Sequence, residues 1–269
     1  MIINPKLLEK MEYPLESLNR RYNEYLLQGK DIINLTIGDP EDDSNPLARQ
    51  ATLDYLTKHK DSSYPPYLGT NQYRTAVKNW AKSEYAIDLD YEHDIICCNG
   101  TKEAIFSFPL CFDWTDNLRT IMFSSIAYPV YKMSASFLNI KSMPLSVSAE
   151  SNFFPELEKI PDKDWEKCGV FWLNSPNNPT TAIASSQYIS TLLNLAERFD
   201  FIVASDECYN DLYQNEKPTS CLDFPDSDRW VVFRSLSKRS HMTGYRCGAI
   251  LSKNKQLMSS LKRLRSPMG

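Results

Sequence analysis

From about residue 93 onward the chain alternates short apolar runs with longer amphipathic stretches, and nothing else in it constrains the fold so tightly. Seven runs, at 95–98, 120–124, 140–145, 170–174, 201–205, 230–234 and 247–251, are rich in apolar residues and bounded by turn-forming or charged ones. Runs of this length and composition read as strands buried on both faces. Helical patterns fill 101–112, 129–138, 185–199 and 253–265. Strands separated by helices predict an α/β fold with a mainly parallel seven-stranded sheet flanked by helices. Ligands of such sheets sit beyond the carboxyl ends of the strands, so the residues just past each run are where chemistry is expected. Upstream, 9–27 reads as an amphipathic helix interrupted near Pro14 and ending at Gly29. A short apolar run at 32–37 and the turn Gly38-Asp39-Pro40 follow. Then come a helix over 46–60, the loop Tyr64-Pro65-Pro66-Tyr67-Leu68-Gly69, and a helix running to about Glu84.

Composition removes several function classes. The chain has 269 residues and a net charge of -4, which gives no electrostatic case for nucleic acid or an anionic membrane. No apolar run approaches the length of a membrane span. The N-terminus, Met1-Ile2-Ile3-Asn4-Pro5-Lys6, lacks a signal-peptide pattern. The seven cysteines (97, 98, 111, 168, 208, 221 and 247) form no C-x-x-C pair, and His59, His93 and His241 are dispersed. Reduced thiols in a cytoplasmic protein without a metal centre are expected.

Five segments after strand ends carry candidate chemistry. Asn99-Gly100-Thr101-Lys102-Glu103-Ala104 opens a helix; Gly100 allows a tight turn and the N–H groups of Thr101 and Lys102 point at an anion, although Thr101 could equally be a plain helix cap. Tyr128 can stack on a planar ring or pack as a rim tyrosine. Asn174-Ser175-Pro176-Asn177-Asn178-Pro179-Thr180 makes a rigid loop whose Asn178 carboxamide can donate to a phenolate oxygen, or is simply a turn. Asp206 ends the run 201–205 and can pair with a protonated pyridine nitrogen, with Tyr209 three residues on, or can cap a helix. Finally, Ser235-Leu236-Ser237-Lys238 offers an amine for an imine beside hydroxyls, and Arg246, eight residues after the lysine, can grip two phosphate oxygens. Pyridoxal phosphate needs this set: an aldehyde partner, a phosphate cup, a ring stack and a ring-nitrogen partner.

In that order and at those intervals, the segments resemble the class I and II aminotransferases, fold-type I pyridoxal-phosphate enzymes. The likeness runs from Leu35-Thr36-Ile37-Gly38-Asp39-Pro40 to Arg246-Cys247-Gly248. It implies that Lys238 is the Schiff-base lysine and proton shuttle. Asp206 is the partner of the ring nitrogen, with Tyr209 and Asn178 at the ring hydroxyl. Gly100, Thr101, Lys102, Ser235, Ser237 and Arg246 form the phosphate cup, and Tyr128 stacks on the ring. Tyr64 resembles a tyrosine that reaches a neighbouring subunit's phosphate, which implies a homodimer with shared sites. Gly38 and Asn178 lie near the substrate. The implied reaction moves an amino group between an amino acid and a 2-oxo acid. Asn99–Phe106 and the Asn-Asn-Pro-Thr loop are similar to the N-succinyldiaminopimelate aminotransferase branch, in lysine and diaminopimelate biosynthesis.

Three departures qualify the resemblance. The family's Asn-Pro-Thr-Gly is here Asn178-Pro179-Thr180-Thr181, so the turn is expected to avoid a glycine-only conformation. The usual proline before the stacking aromatic is absent from Ser125-Ile126-Ala127. The family's C-terminal segment, with the arginine that binds the substrate carboxylate, has no counterpart before Gly269. Residues 1–45 are therefore expected to be the N-terminal segment of an incomplete small domain and 46–269 the cofactor-binding large domain, in a C-terminally truncated chain. A cofactor-binding but catalytically impaired fragment and a pyridoxal-phosphate lyase of the same fold stay open as alternatives.

Overall fold

A computed structural model describes residue 6 and residues 14–59, 64–115 and 118–268. Its centre is one seven-stranded sheet: β1 (Ile95–Cys98), β2 (Thr120–Ser124), β3 (Ser142–Leu145), β4 (Cys168–Asn174), β5 (Ile202–Asp206), β6 (Trp230–Ser235) and β7 (Gly248–Leu251). Their order across the sheet is β1-β7-β6-β5-β4-β2-β3. The β2–β3, β2–β4, β4–β5 and β5–β6 pairs are parallel, and β7 runs antiparallel to both its neighbours. All seven expected strands form, each displaced by no more than two residues at an end.

Helices flank the sheet: α1 (Pro14–Leu27), α2 (Pro46–Lys58), α3 (Asn71–Tyr85), α4 (Thr101–Ser107), α5 (Val130–Phe137), the single turn α6 (Asp162–Trp165), α7 (Ser186–Phe199), the single turn α8 (Leu236–Arg239) and α9 (Lys255–Arg265). The expected helix over 101–112 is shorter than its pattern: it tightens to a 3-10 turn at Phe108–Cys111, where Pro109 supplies no backbone donor. The parts of the first two expected helices at 9–13 and at residue 60 lie outside the described residues. No helix among the described residues is long and apolar enough to cross a membrane.

Strand periodicity splits the core into two layers. Ile95, Met122, Phe171, Leu173, Val203 and Val232 face α3 and α7, which bury Ala81, Tyr85, Ile189, Leu192 and Ala196 against them. Their neighbours Ile96, Ile121, Phe123, Val170, Trp172, Ile202 and Val231 face α4, α5 and α9, with Ile105, Tyr131 and Leu261 packed on that side. Caps set the helix limits: Ser185 Oγ accepts the Tyr188 N–H at the start of α7, and Asp200 ends it in the left-handed region at φ 54°.

The topology collects the candidate chemistry. β1, β2, β4, β5 and β6 all point their carboxyl ends at one edge of the sheet. β7 runs the other way, so its entry is at that same edge. Register confirms it: Asn174 lies opposite Asp206, and Gly248 is opposite both Ser235 and Cys98.

Candidate active site

Asp206 is the best-defined member of this edge. It ends β5 at 4% exposure. Its Oδ2 accepts from the Tyr131 hydroxyl at 2.7 Å and its Oδ1 accepts from the Cys208 N–H at 3.3 Å. Burial pushes its carboxyl above the ordinary value, while the bonds from Cys208 and Tyr131 pull the other way. Tyr131 stacks on Trp172, rings 4.7 Å apart at 9°, so the donor to Asp206 is fixed in direction. Burial, with the neighbouring Asp206 charge, raises the Tyr131 phenol well above its usual value. Tyr131 therefore stays a proton donor to the carboxylate.

The loop after β4 is held to the same strand end. Asn174 Nδ2 donates to the Asp206 carbonyl at 2.9 Å, and Asn174 Oδ1 accepts the Asn178 N–H at 2.7 Å. That presents Asn178 Nδ2 to the Tyr209 hydroxyl, 3.4 Å away. The Ser175–Pro176 and Asn178–Pro179 peptide bonds are cis. One expectation is overturned here. The loop does not avoid the left-handed conformation that favours glycine: Thr181 adopts it, at φ 63°. Its N–H bonds to the Asn177 carbonyl at 2.8 Å, which holds a β-branched residue in the left-handed region.

The third group surrounds Lys238. Ser235 caps α8, its Oγ accepting the Ser237 N–H at 3.1 Å and keeping its own hydrogen for another acceptor. Lys238 Nζ donates to the Gly38 carbonyl at 2.5 Å and pairs with Asp39 at 3.1 Å. Two more contacts tie these segments: Ser44 Oγ to the Tyr245 hydroxyl at 3.2 Å, and His241 Nδ1 to the Asp42 carbonyl at 3.4 Å. The Gly38 turn thus lies directly over the lysine.

The fourth group is a cradle. Gly100 has φ 80° and ψ 149°, and a Cβ built on it would fall 2.2 Å from Arg246 Nη2. Only glycine lets that guanidinium lie against the turn. Gly100, rather than Thr101, occupies the cap position of α4, and no side chain caps it. Thr101 is buried, and its hydroxyl lies 3.0 Å from Cys208 Sγ, tying the cradle to the Asp206 loop. Tyr128 sits edge-on to Tyr131, centroids 5.8 Å apart. Tyr64 is fully exposed and stands apart from these groups.

Several supports were not singled out from the motifs. Tyr131 and Asn174 orient Asp206 and Asn178, and Asp39 holds Lys238. Glu207 is a further one: it accepts from Ser205 Oγ, Ser220 Oγ and the Cys221 N–H at 2.9, 2.6 and 2.9 Å, and pairs with Arg234 at 3.0 Å. Arg234 also bonds the Tyr85 hydroxyl. This buried cluster locks the ends of β5 and β6, and with them Asp206 and Ser235.

The family model for class I and II aminotransferases matches residues 30–269. The chain belongs to that family. Class I and II aminotransferases use pyridoxal phosphate. The residues here fit it, because the Gly100–Arg246 cradle, the buried Asp206, the Asn178–Tyr209 pair and the Lys238 amine share one sheet edge. Among sequence relatives, this family member is 34% identical to the LL-diaminopimelate aminotransferases of Aquifex aeolicus and Maridesulfovibrio salexigens, over 94% of its own length. It spans about 65% of the length of those relatives. Among solved structures, aminotransferase AspB of Helicobacter pylori superposes at TM-score 0.84 and 29% identity, covering 96% of this chain and 68% of that one. Apo-BacF of Bacillus subtilis gives 0.91 at 21%, covering 100% and 68%. A "probable N-succinyldiaminopimelate aminotransferase" of Thermus thermophilus gives 0.87 at 22%, covering 94% and 67%, a likeness of fold alone. Among the described residues no cluster of His, Cys, Asp or Glu could hold a metal.

Proposed function

We propose that this chain carries the pyridoxal-phosphate site of an aminotransferase that moves an amino group between an amino acid and a 2-oxo acid. The reading rests above all on one convergence: the Asp206 carboxylate, the Asn178–Tyr209 pair, the Lys238 amine and the Gly100–Arg246 cradle emerge together from adjacent strand ends. The substrate class follows the sequence relatives. Because the relatives at 34% identity are named for LL-diaminopimelate, we assign diaminopimelate as the amino-acid partner of the reaction, in lysine and diaminopimelate biosynthesis.

The cofactor, when bound, supplies an aldehyde that captures amines and a ring that accepts electrons from the substrate's α-carbon. Lys238 would hold the aldehyde through its amine, and with a donor in the site its Nζ would be placed to take the donor's α-proton and to return it. Asp206 holds a proton at the ring nitrogen. Its anion is kept ready by Tyr131 and the Cys208 N–H, and its burial strengthens the pairing. Asn178 and Tyr209 would donate to the ring hydroxyl, and Tyr128 would cover the ring face. Arg246, Ser235, Ser237, Thr101 and Lys102 hold the phosphate. Gly38 lies over Lys238 and so borders the substrate side.

The same reading covers the assembly. Residues 1–45 are assigned to a small domain and 46–269 to the cofactor domain; among the described residues of 1–45, none enters either core layer. A homodimer is proposed because Leu47, Leu53, Leu56 and Tyr64 all face outward on one segment. Free thiols at all seven cysteines favour the cytoplasm.

The test is a half-reaction. The protein is loaded with pyridoxal phosphate, and its visible absorbance is followed as LL-diaminopimelate, glutamate or aspartate is added. Bleaching in step with release of the matching 2-oxo acid supports the reading. Release of ammonia instead assigns a lyase, and a chain that develops no visible band refutes the cofactor site.

A further inference from the structure

The cradle is pinned from an unexpected direction. Gly100 offers no side chain to cap its own turn. The Gly100 N–H closes the turn on the Cys98 carbonyl at 2.8 Å, and the side chain that holds it is Glu103, one helical turn on, whose Oε1 accepts the Asn99 N–H at 3.0 Å. Glu103 is one-third exposed and would be free to turn to solvent. Arg265, at the end of α9, prevents that. Its Nη1 and Nη2 engage Glu103 Oε2 and Oε1 at 3.0 and 2.9 Å, in the two-point geometry that a guanidinium and a carboxylate share. Arg265 is only 3% exposed, and its Nε has no partner. Taking a guanidinium out of water in this way is unfavourable unless its counter-charge stays in place, so the pair holds firmly. The chain of contacts is continuous: Arg265 fixes Glu103, Glu103 fixes the Asn99 N–H, and the Asn99–Gly100 turn abuts the Arg246 guanidinium.

We propose that Arg265, acting through Glu103, is a positioning residue for the cofactor's phosphate group: it sets the Gly100 turn and thereby the place of the Arg246 guanidinium. The proposal rests on the cofactor reading above. Arg265 touches neither phosphate nor ring. Its effect falls on the phosphate end: although Thr101 reaches Cys208, Asp206 is also held by Tyr131, and Asn178 by Asn174.

That placement gives a test that a merely structural role would fail. Equilibrium binding of pyridoxal phosphate and of pyridoxal, which lacks the phosphate, is measured by visible absorbance on the wild type, Arg265→Met and Glu103→Gln/Arg265→Met. The double variant leaves no charge buried alone, so it serves if the single variant does not fold; thermal unfolding checks both. The wild type should prefer the phosphorylated ligand. The variants should lose about tenfold or more in affinity for pyridoxal phosphate, the scale of one charge-assisted hydrogen bond, while pyridoxal stays within about twofold. Equal losses for both ligands, or no loss for the phosphorylated one, would overturn the proposal. A wild-type chain that takes up neither ligand refutes the cofactor reading itself, and shows this before any variant is made.

Discussion

Gly100→Ala puts the cradle under a direct physical test. At φ 80° and ψ 149° the backbone lies where glycine alone is comfortable, so a Cβ costs about 1–3 kcal/mol in strain. For a chain of this size that lowers Tm by about 2–4 °C per kcal/mol. The steric consequence is separate. The new Cβ would lie 2.2 Å from Arg246 Nη2 and 2.8 Å from Cζ. These atoms are the far end of a flexible side chain, so Arg246 swings away and little stability is lost by that. What is lost is the guanidinium's place, and a charged hydrogen bond of about 1.5–3 kcal/mol with it. Urea unfolding and pyridoxal-phosphate titration of Gly100→Ala, Arg246→Ala and the double variant separate the two effects. Gly100→Ala should destabilise by the same amount in either background, because the strain is in the backbone. Its affinity loss should match that of Arg246→Ala, and the double variant should lose no more than either. Affinity losses that add in full would refute the contact, and a Gly100→Ala protein as stable as wild type would refute the turn.

Thr181→Gly should stabilise the protein by about 0.5–1 kcal/mol, since it relieves a left-handed β-branched residue at the expense of a more flexible unfolded chain; a loss in the urea midpoint would contradict this. Glu207→Gln leaves the buried Arg234 guanidinium only the more distant Asp211 carboxylate, at 3.5 Å, as counter-charge and should cost about 3 kcal/mol, with Glu207→Gln/Arg234→Met recovering much of it in thermal melts. Alkaline pH should weaken the fold. Burial raises the thiols of Cys98, Cys168, Cys208 and Cys221, and pushes that of Cys111 up to about 12. These thiols ionise first in the unfolded chain. Their stabilisation is complete below about pH 8.5 and is lost as pH rises toward the folded values, on the order of 1 kcal/mol for each fully buried thiol by pH 9.5. A urea midpoint unchanged between pH 7.5 and 9.5 would contradict that burial.

How much of this was legible in the sequence depended on whether the signal was local. The strands showed because their apolar runs are short and bounded, and the motif residues showed because each follows a strand end. The antiparallel sense of β7 did not show: its residues are apolar in either direction, and the reversal lies in a link, 236–247, that carries only α8 and a 3-10 turn. β4 begins two residues before its apolar run because it pairs with Thr120 across the sheet and Gly169 packs under Trp114, contacts from distant parts of the chain. Tyr131, Glu207 and Arg265 were missed for the same reason. Each acts on a partner far away in sequence, Arg265 on a glutamate 162 residues before it. Arg234 did leave a trace. A guanidinium directly after Trp230-Val231-Val232-Phe233 in a buried strand needs a counter-charge, and Glu207, equally out of place beside Asp206, is that partner. Thr181 misled because a residue type ordinarily marks its conformation, and here the Asn177 hydrogen bond overrides it.

The most direct test of the central claim is to load the protein with pyridoxal phosphate, reduce it with borohydride and map the pyridoxyl group by peptide mass. The account predicts one modified residue, Lys238, and no stable label in Lys238→Ala. A label on another lysine, or full labelling of Lys238→Ala, would contradict it.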